Sequence, residues 1–325
     1  MHSNLHKKAF KNGLLICNGH EAYHDDLADI FDNLYVIDPY CQEQNYLKSI
    51  EIFIEYLKKN NISSNTTKII YSSGLEDKKD IKEYLDKEFF ICGNNFYKYT
   101  LLSNPYNLDK NLFRDNILLP DVSKKFHYKY ISKKKNSSGG LNVANNLISS
   151  DIFYQQFIPG NTYSVSFLSS KKDTHILGFN QLFVVKDNAK YPYLHAGAIT
   201  LDFDYEQTYH YIKWINDFSS MYKLNGFCSI DYKIYDNKIY IIDINPRLSG
   251  TYKLYKKRYE NLIHHHVGLI SEKLLSVSNE YYAYITLFAK NDYVADETIF
   301  KIKDISDIPI LGETIKKNMP ILTLN

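Results

Sequence analysis

GFCSIDYKIYDNKIYIIDINPRLSGT, residues 226–251, alternates apolar and polar side chains, turns, and alternates again. Cys228, Ile230, Tyr232 and Ile234 interleave with Ser229, Asp231 and Lys233, the period-two pattern of a half-buried strand. Asp236-Asn237-Lys238 supplies turn residues, and Ile239 to Ile244 returns as a second β-branched strand, so the stretch is a predicted hairpin. With the turn centred on Asn237, Asp231 stands across from Asp243, the two Cβ atoms about 5 Å apart. Asn245 lies two residues beyond Asp243 and projects to the same face.

Two carboxylates and an amide oxygen at a strand end form a hard, all-oxygen cluster suited to Mg²⁺, which takes carboxylates, waters and substrate phosphates in an octahedron. Arg247 follows in the Pro246–Gly250 segment, and an arginine fork beside such a cluster clamps phosphate. The same spacing also fits an ordinary hairpin with solvated aspartates. Ile241, Ile242 and Ile244 around Asp243 argue against that reading, because an unpaired carboxylate in an apolar strand is costly.

Thirty-nine basic against 37 acidic residues leave a formal charge of +2. So even a balance gives no reason to expect nucleic acid or an anionic membrane as partner. At 325 residues and 44% hydrophobic content, the chain can bury two or three packed subdomains. Cys17, Cys41, Cys92 and Cys228 are scattered without C-x-x-C pairing, which suits free thiols in a reducing cytoplasm. The apolar run at 14–17 is too short for a signal sequence or a membrane span.

Upstream, strands and helices alternate. Residues 13–18, 34–37, 68–71 and 89–92 read as strands, and 21–33, 46–59 and 77–87 as helices. Such alternation predicts a parallel sheet with ligands beyond the strand C-termini, at loops 18–24 and 72–76. Neither His20 nor His24 in the first loop is singled out. No G-x-G-x-x-G follows the first strand, which disfavours a dinucleotide fold proper. Gly93-Asn94-Asn95 is a break into a second region, with a helix over 106–115 and a strand over 126–132. The segment 133–143, KKKNSSGGLNV, can form an anion nest of backbone amides beside lysines, or simply a basic loop. Strands at 152–157, 163–168, 175–183 and 196–201 belong to an antiparallel sheet, followed by a helix at 205–221 carrying Trp214 as core. A helix over 252–275 contains His264, His265 and His266, which point in different directions and cannot share one metal; they read as a polar face, with one of them near the substrate. Residues 309–324 close the large subdomain.

In this order, the lysine- and glycine-rich loop, the QQFIPG hinge at 155–160 and the D…DINPRLSG hairpin together resemble the ATP-grasp superfamily of carboxylate–amine ligases. Among these, the chain is most similar to uncharacterised members like the carbamoyl-phosphate synthase large subunit, through residues 71–76, 92–94, 154–156, 176–181 and 307–323. The implied fold is α/β and α+β. A Rossmann-like pre-ATP-grasp parallel-sheet domain at 1–93 precedes a two-subdomain ATP-grasp fold with antiparallel sheets, the small lid at 94–158 and the large subdomain at 159–325. The resemblance implies ATP with Mg²⁺ or Mn²⁺, small-molecule carboxylate and amine substrates, and a cytoplasmic enzyme with no nucleic-acid or membrane partner; it is compatible with a homodimer. The acceptor and carboxylate sites would lie between the N-terminal domain edge and the strip 195–198.

Residue by residue, the resemblance gives Lys133 and Arg247 catalytic roles on the phosphates. Ser137, Ser138, Gly139 and Gly140 form the loop over the phosphates; Gln155, Gln156, Phe157 and Ile158 form the adenine hinge. Asp231, Asp243 and Asn245 are the metal ligands. The chain departs from the pattern at Gln155, usually glutamate, at Thr162, where an acid usually grips the ribose, and at Asp243, usually glutamate. The first phosphate lysine is missing near Asn104-Pro105, leaving Lys98 or Lys110 as stand-ins.

Overall fold

The computed structural model describes residues 8–17, 21–39, 42–135, 139–145, 151–185, 192–202, 205–270 and 273–325. Four strands, β1 (Phe10–Ile16), β2 (Phe31–Ile37), β3 (Thr67–Tyr71) and β4 (Phe90–Ile91), pair in parallel in the order β2-β1-β3-β4. Between them run α1 (Glu21–Ala28), α2 (Ile50–Lys59) and α3 (Lys79–Glu88). Successive side chains of β1 part to opposite faces. Leu14 and Ile16 join Phe53, Leu85 and Phe96, whereas Leu15 packs with Tyr252, Tyr255 and Leu262 from the far end of the chain. With both faces buried, the strands carry the near-continuous apolar runs seen in the sequence.

After α4 (Phe96–Leu102), the chain lays down β5 (Ile117–Leu118), β6 (Val122–Ser123), β7 (Tyr130–Lys134), β8 (Val143–Ala144) and β9 (Ile152–Gln156). The last four make a small sheet ordered β6-β9-β7-β8. Then come β10 (Thr162–Ser169), β11 (Thr174–Val184), β12 (His195–Leu201), α5 (Tyr205–Tyr222), β13 (Gly226–Tyr235), β14 (Lys238–Asn245), α6 (Tyr252–Tyr255), α7 (Leu262–His266), β15 (Ala283–Phe288), β16 (Tyr293–Val294), β17 (Ile305–Ser306), β18 (Thr314–Ile315) and β19 (Pro320–Leu324). The large sheet runs β17-β19-β15-β12-β11-β10-β13-β14-β5, antiparallel except where β5 meets β14, while β16 and β18 pair by themselves. Trp214, Ile215 and Phe218 of α5 pack on Val165, Phe167, Cys228, Ile230 and Ile244 of this sheet. The odd-numbered partners on β13 therefore face the other way.

Several elements differ from the sequence reading. The helix begun at Glu21 stops at Ala28, because Phe31 is needed as a strand residue, 1% exposed and packed flat on the bare face of Gly13. Residues 46–59 split at Ser49, whose hydroxyl caps α2. In place of the helix at 106–115 are two short 3₁₀ turns, Pro105–Asn107 and Lys110–Leu112; the Asn104 and Asp109 side chains accept from backbone amides and so compete with a continuing helix. The strand placed at 126–132 is β7, which starts later and carries Lys133 on the strand itself rather than in the loop. The helix at 252–275 breaks into α6 and α7 around Asn261, which is left-handed at φ 53°. His266 is not on a polar face: it is 2% exposed, and its Nδ1 accepts from Phe227 N at 3.0 Å. Asn94 in the break after β4 is buried; its amide donates to Asn225 O at 2.8 Å and Pro246 O at 3.2 Å and accepts from Asn225 N at 2.9 Å.

Candidate active site

The β13–β14 hairpin closes through Asp236 and Asn237, at φ 50° and 55°. Two consecutive left-handed residues make the two-residue turn whose twist suits a hairpin. That turn alone would set Asp231 opposite Ile242. A bulge corrects the phase: Tyr232 pairs with Ile241 but Asp231 pairs with Asp243, and Ile242 is the extra residue. Directly opposed residues share a face, so Asp231 and Asp243 stand together, with Asn245 opposite Ser229 beside them. Ser164 and Ser166 of β10 oppose Asp231 and Ser229 and extend the same polar face.

Beneath this face the hydroxyls are tied into a chain. Ser229 Oγ donates to Ser249 Oγ (3.1 Å), Ser249 and Thr251 share a bond of 2.9 Å, and Ser166 Oγ donates to Thr251 Oγ1 (2.9 Å). Asn180 Nδ2 donates to Ser166 (3.3 Å), and Tyr255 Oη to Asn180 Oδ1 (2.6 Å). A satisfied buried network of this kind fixes side-chain directions. Burial, followed by the neighbouring Asp243 carboxylate, raises the Asp231 pKa above the ordinary carboxylate range; the Ser164 hydroxyl, Lys133 and Arg247 oppose the rise.

Two like charges and an amide oxygen on one rigid face are a donor set that a hard divalent cation relieves. Among the described residues no three His, Cys, Asp or Glu side chains gather to hold a metal. The fit is to an ion that completes its shell with water or substrate oxygens rather than to a closed protein cage.

Arg247 follows the hairpin and is 7% exposed. Its Nη1 donates to Leu248 O at 3.0 Å, its Nη2 lies 3.8 Å from Glu76 Oε1, and Nε has no hydrogen-bond partner. Burial works against its charge, yet Tyr99, Glu76 and Asp243 raise the guanidinium pKa above its ordinary value.

Lys133 Nζ donates to the carbonyl of Ile242, the bulged residue, at 3.0 Å. Gly139 and Gly140, at φ 63° and 77°, seat their turn against β12: His195 N donates to Gly139 O at 3.0 Å, and a Cβ on Gly140 would stand 1.9 Å from Tyr193 O. At the end of β9, Gln155 is buried and Gln156 exchanges bonds with Asp121, its amide donating to Asp121 O at 2.8 Å. Phe157 follows, with Lys233 Nζ 5.7 Å from its ring centre and bonded to Gly160 O at 2.6 Å.

The two aspartates with Asn245, Arg247, Lys133, the glycine pair, the hinge from Gln155 to Ile158 and Thr162 line one cavity of about 1150 Å³. Ser137 and Ser138 lie outside the described residues, as do loop residues 18–20. Neither Lys98 nor Lys110 lines the cavity; Lys98 Nζ is bonded to Lys223 O instead.

On the far side of this space, sequence reasoning marked the strip 195–198 and loops 18–24 and 72–76, but not Lys253 or Tyr284. Lys253 Nζ pairs with Asp307 Oδ2 at 2.5 Å, and His195 Nε2 bonds Tyr284 Oη at 2.8 Å, the imidazole pKa lowered by burial, with Lys253 nearby, to about 4. Tyr23, Asp38, Ser72 and Ser73 bring in the C-terminal edge of the parallel sheet. Loop 72–76 was a predicted ligand edge, but nothing in it signalled that Glu76 would reach Arg247.

The sequence profile of the ATP-grasp domain family matches residues 102–251. The chain is 27% identical over 258 residues to an uncharacterised protein of Methanocaldococcus jannaschii, a match covering 72% of this chain and 63% of that one. It is 32% identical over 191 residues to the tyramine–L-glutamate ligase of the same organism, covering 59% and 53%. It thus spans less than two thirds of the length of either relative. In fold it is similar to the biotin carboxylase domain of the Hydrogenobacter thermophilus 2-oxoglutarate carboxylase, solved with MgADP and bicarbonate: TM-score 0.65 at 12% identity, over 98% of this chain and 86% of that one. Among the described residues no helix is long and apolar enough to cross a membrane.

Proposed function

With an ATP-grasp domain over residues 102–251 as the starting point, we propose that this protein is an ATP- and Mg²⁺-dependent ligase that joins a small-molecule carboxylate to an amine by way of an acylphosphate. The observation that carries the reading is the convergence of Asp231, Asp243, Asn245, Lys133 and Arg247 on one cavity large enough for a nucleotide and a second substrate. Bound Mg²⁺ would supply neutralisation of the phosphate charge, held by Asp231, Asp243 and Asn245. Phosphoryl transfer asks little covalent work of side chains and much positioning. Lys133 neutralises phosphate charge. Its present partner is only a neutral carbonyl, which an anionic ligand readily displaces. Arg247 offers its guanidinium to the phosphoryl group in transfer. Gln155 to Ile158 and Thr162 hold the nucleoside, and Gly139 and Gly140, seated on β12, cover the phosphates and exclude water that would hydrolyse the acylphosphate. The carboxylate and amine would sit beyond, between Tyr23, Ser72, His195 and Lys253.

The test is a phosphate-release screen of acids against amines, with mass spectrometry of the products. L-Glutamate and tyramine, the pair named for the second relative, head the panel. Mg²⁺-dependent release of phosphate with a new amide mass is expected. Absence of release from every pair would sink the ligase reading.

A second reading, a nucleotide-binding protein without turnover, draws on the lysine missing near Asn104 and on Lys98 being engaged elsewhere. ATP that raises the melting temperature while no acid–amine pair yields phosphate is the outcome that favours it.

Lys133→Ala is expected to weaken nucleotide binding by about tenfold, the scale of one charge-assisted contact. Calorimetry with MgATP reads it, and an unchanged Kd would remove Lys133 from the phosphate site.

A further inference from the structure

Glu76 stands in loop 72–76 but carries none of the roles assigned above. It follows β3, in the loop whose Ser72 and Ser73 line the cavity. Its side chain is 9% exposed and Arg247's is 8%, so water neutralises neither charge. One oxygen, Oε2, is fixed by the amide of Gly74 at 2.6 Å; the other, Oε1, makes no hydrogen bond and stands 3.8 Å from Arg247 Nη2. The backbone behind it is held too, since Lys82 Nζ donates to Glu76 O at 2.9 Å. Tyr99 completes the enclosure, its ring centre 5.8 Å from the guanidinium carbon.

At 3.8 Å the carboxylate attracts the guanidinium without saturating it. A bidentate pair would have consumed the fork. Here one edge is held by Glu76 and by the carbonyl of Leu248, and Nε keeps an unused donor in a residue that lines the cavity.

We propose that Glu76 is the positioning residue for Arg247: it balances the buried guanidinium when no anion is present and keeps the fork turned towards the terminal phosphate of the nucleotide. The proposal rests on the nucleotide reading above. It assigns to the N-terminal parallel sheet a part in phosphate recognition, through a residue that touches no ligand itself.

The test is calorimetry with two probes, MgADP and the magnesium complex of the non-hydrolysable ATP analogue adenylyl imidodiphosphate, on the full chain and on Glu76→Gln. Glutamine keeps the shape and the bond from Gly74 N but loses the charge that orients Arg247. The expected result is a loss of about tenfold in preference for the triphosphate analogue, with MgADP affinity within about twofold of wild type. A purely structural role would lower the melting temperature and weaken both probes alike, and that outcome overturns the proposal, as does an unchanged preference. Should Glu76→Gln not fold, Glu76→Asp, with the charge set back by one methylene, is expected to give an intermediate preference; a wild-type preference there counts against Glu76. If the wild-type chain binds neither probe, the nucleotide reading itself fails, and the proposal falls with it.

Discussion

Arg247→Ala is expected to lower turnover by about 10²–10³-fold while shifting nucleotide affinity by less than about tenfold. A donor aimed at developing charge acts mainly in the transition state, and removal of one such donor costs on this scale. Arg247 is nearly enclosed, so its field is little screened. The substitution also leaves Glu76 buried without its counter-charge, which costs about 3–5 kcal/mol of stability. Turnover must therefore be measured well below the melting temperature of the variant. In the double variant Glu76→Gln with Arg247→Ala most of that stability is expected to return while turnover stays low. A variant of Arg247 with wild-type kcat would take the residue out of the chemistry, and a double variant no more stable than Arg247→Ala would show that the buried pair is not the source of the loss.

Asp243→Asn is expected to have the other large effect, with two separable readouts. The first is loss of Mg²⁺-dependent turnover by about 10³-fold or more, since the metal's share of charge stabilisation is worth several kcal/mol. The second appears without ligand. Because burial and then the facing Asp243 raise the Asp231 pKa, the folded state holds a proton that the unfolded chain has released. Stability in the absence of divalent cations should therefore fall as pH rises from the ordinary carboxylate range towards the raised value. Mg²⁺ should recover that loss, and Asp243→Asn should flatten the slope by removing the like charge. Thermal melts between pH 5 and pH 8, with and without Mg²⁺, read all three. A wild-type melting temperature that is flat over this range, or indifferent to Mg²⁺, would contradict the carboxylate pair as a cation site.

Much of the architecture was legible because the residues that form it carry local signals. The alternation in β13 and β14, the Asp-Asn turn and the apolar runs of β1 and β3 each announce their period. The facing of Asp231 and Asp243 could be reached from spacing alone, although by the wrong route: a three-residue turn was assumed, whereas the chain uses a two-residue turn and a bulge. Nothing in the run Ile241-Ile242 reveals which isoleucine is extra, because a bulge is settled by what the strand must pair with on both sides. The stretches misread as helix, 106–115 and 252–275, fail for a similar reason. Their periodicity is helical, but Asn104, Asp109 and Asn261 divert the backbone, and Trp214 Nε1 donates to Leu112 O at 2.8 Å. Glu76 was in a quoted motif, yet its partner lies on a distant segment, and no local pattern encodes a contact of that range.

The bulge at Ile242 divides the hairpin into two halves that are out of step. The tip, from Tyr232 round to Ile241, keeps the count set by its own turn, and the base, which bears both acids, keeps another. The outer half is itself pinned, because Tyr232 and Ile241 are buried and Ile239 and Tyr240 pair with β5. Removing Ile242 would still leave Asp243 opposite Asp231, in the place that the turn's own count assigns. What it would withdraw is the carbonyl on which Lys133 rests. A single spare amino acid thus serves less to align the acids than to aim one backbone oxygen at the lysine beside them.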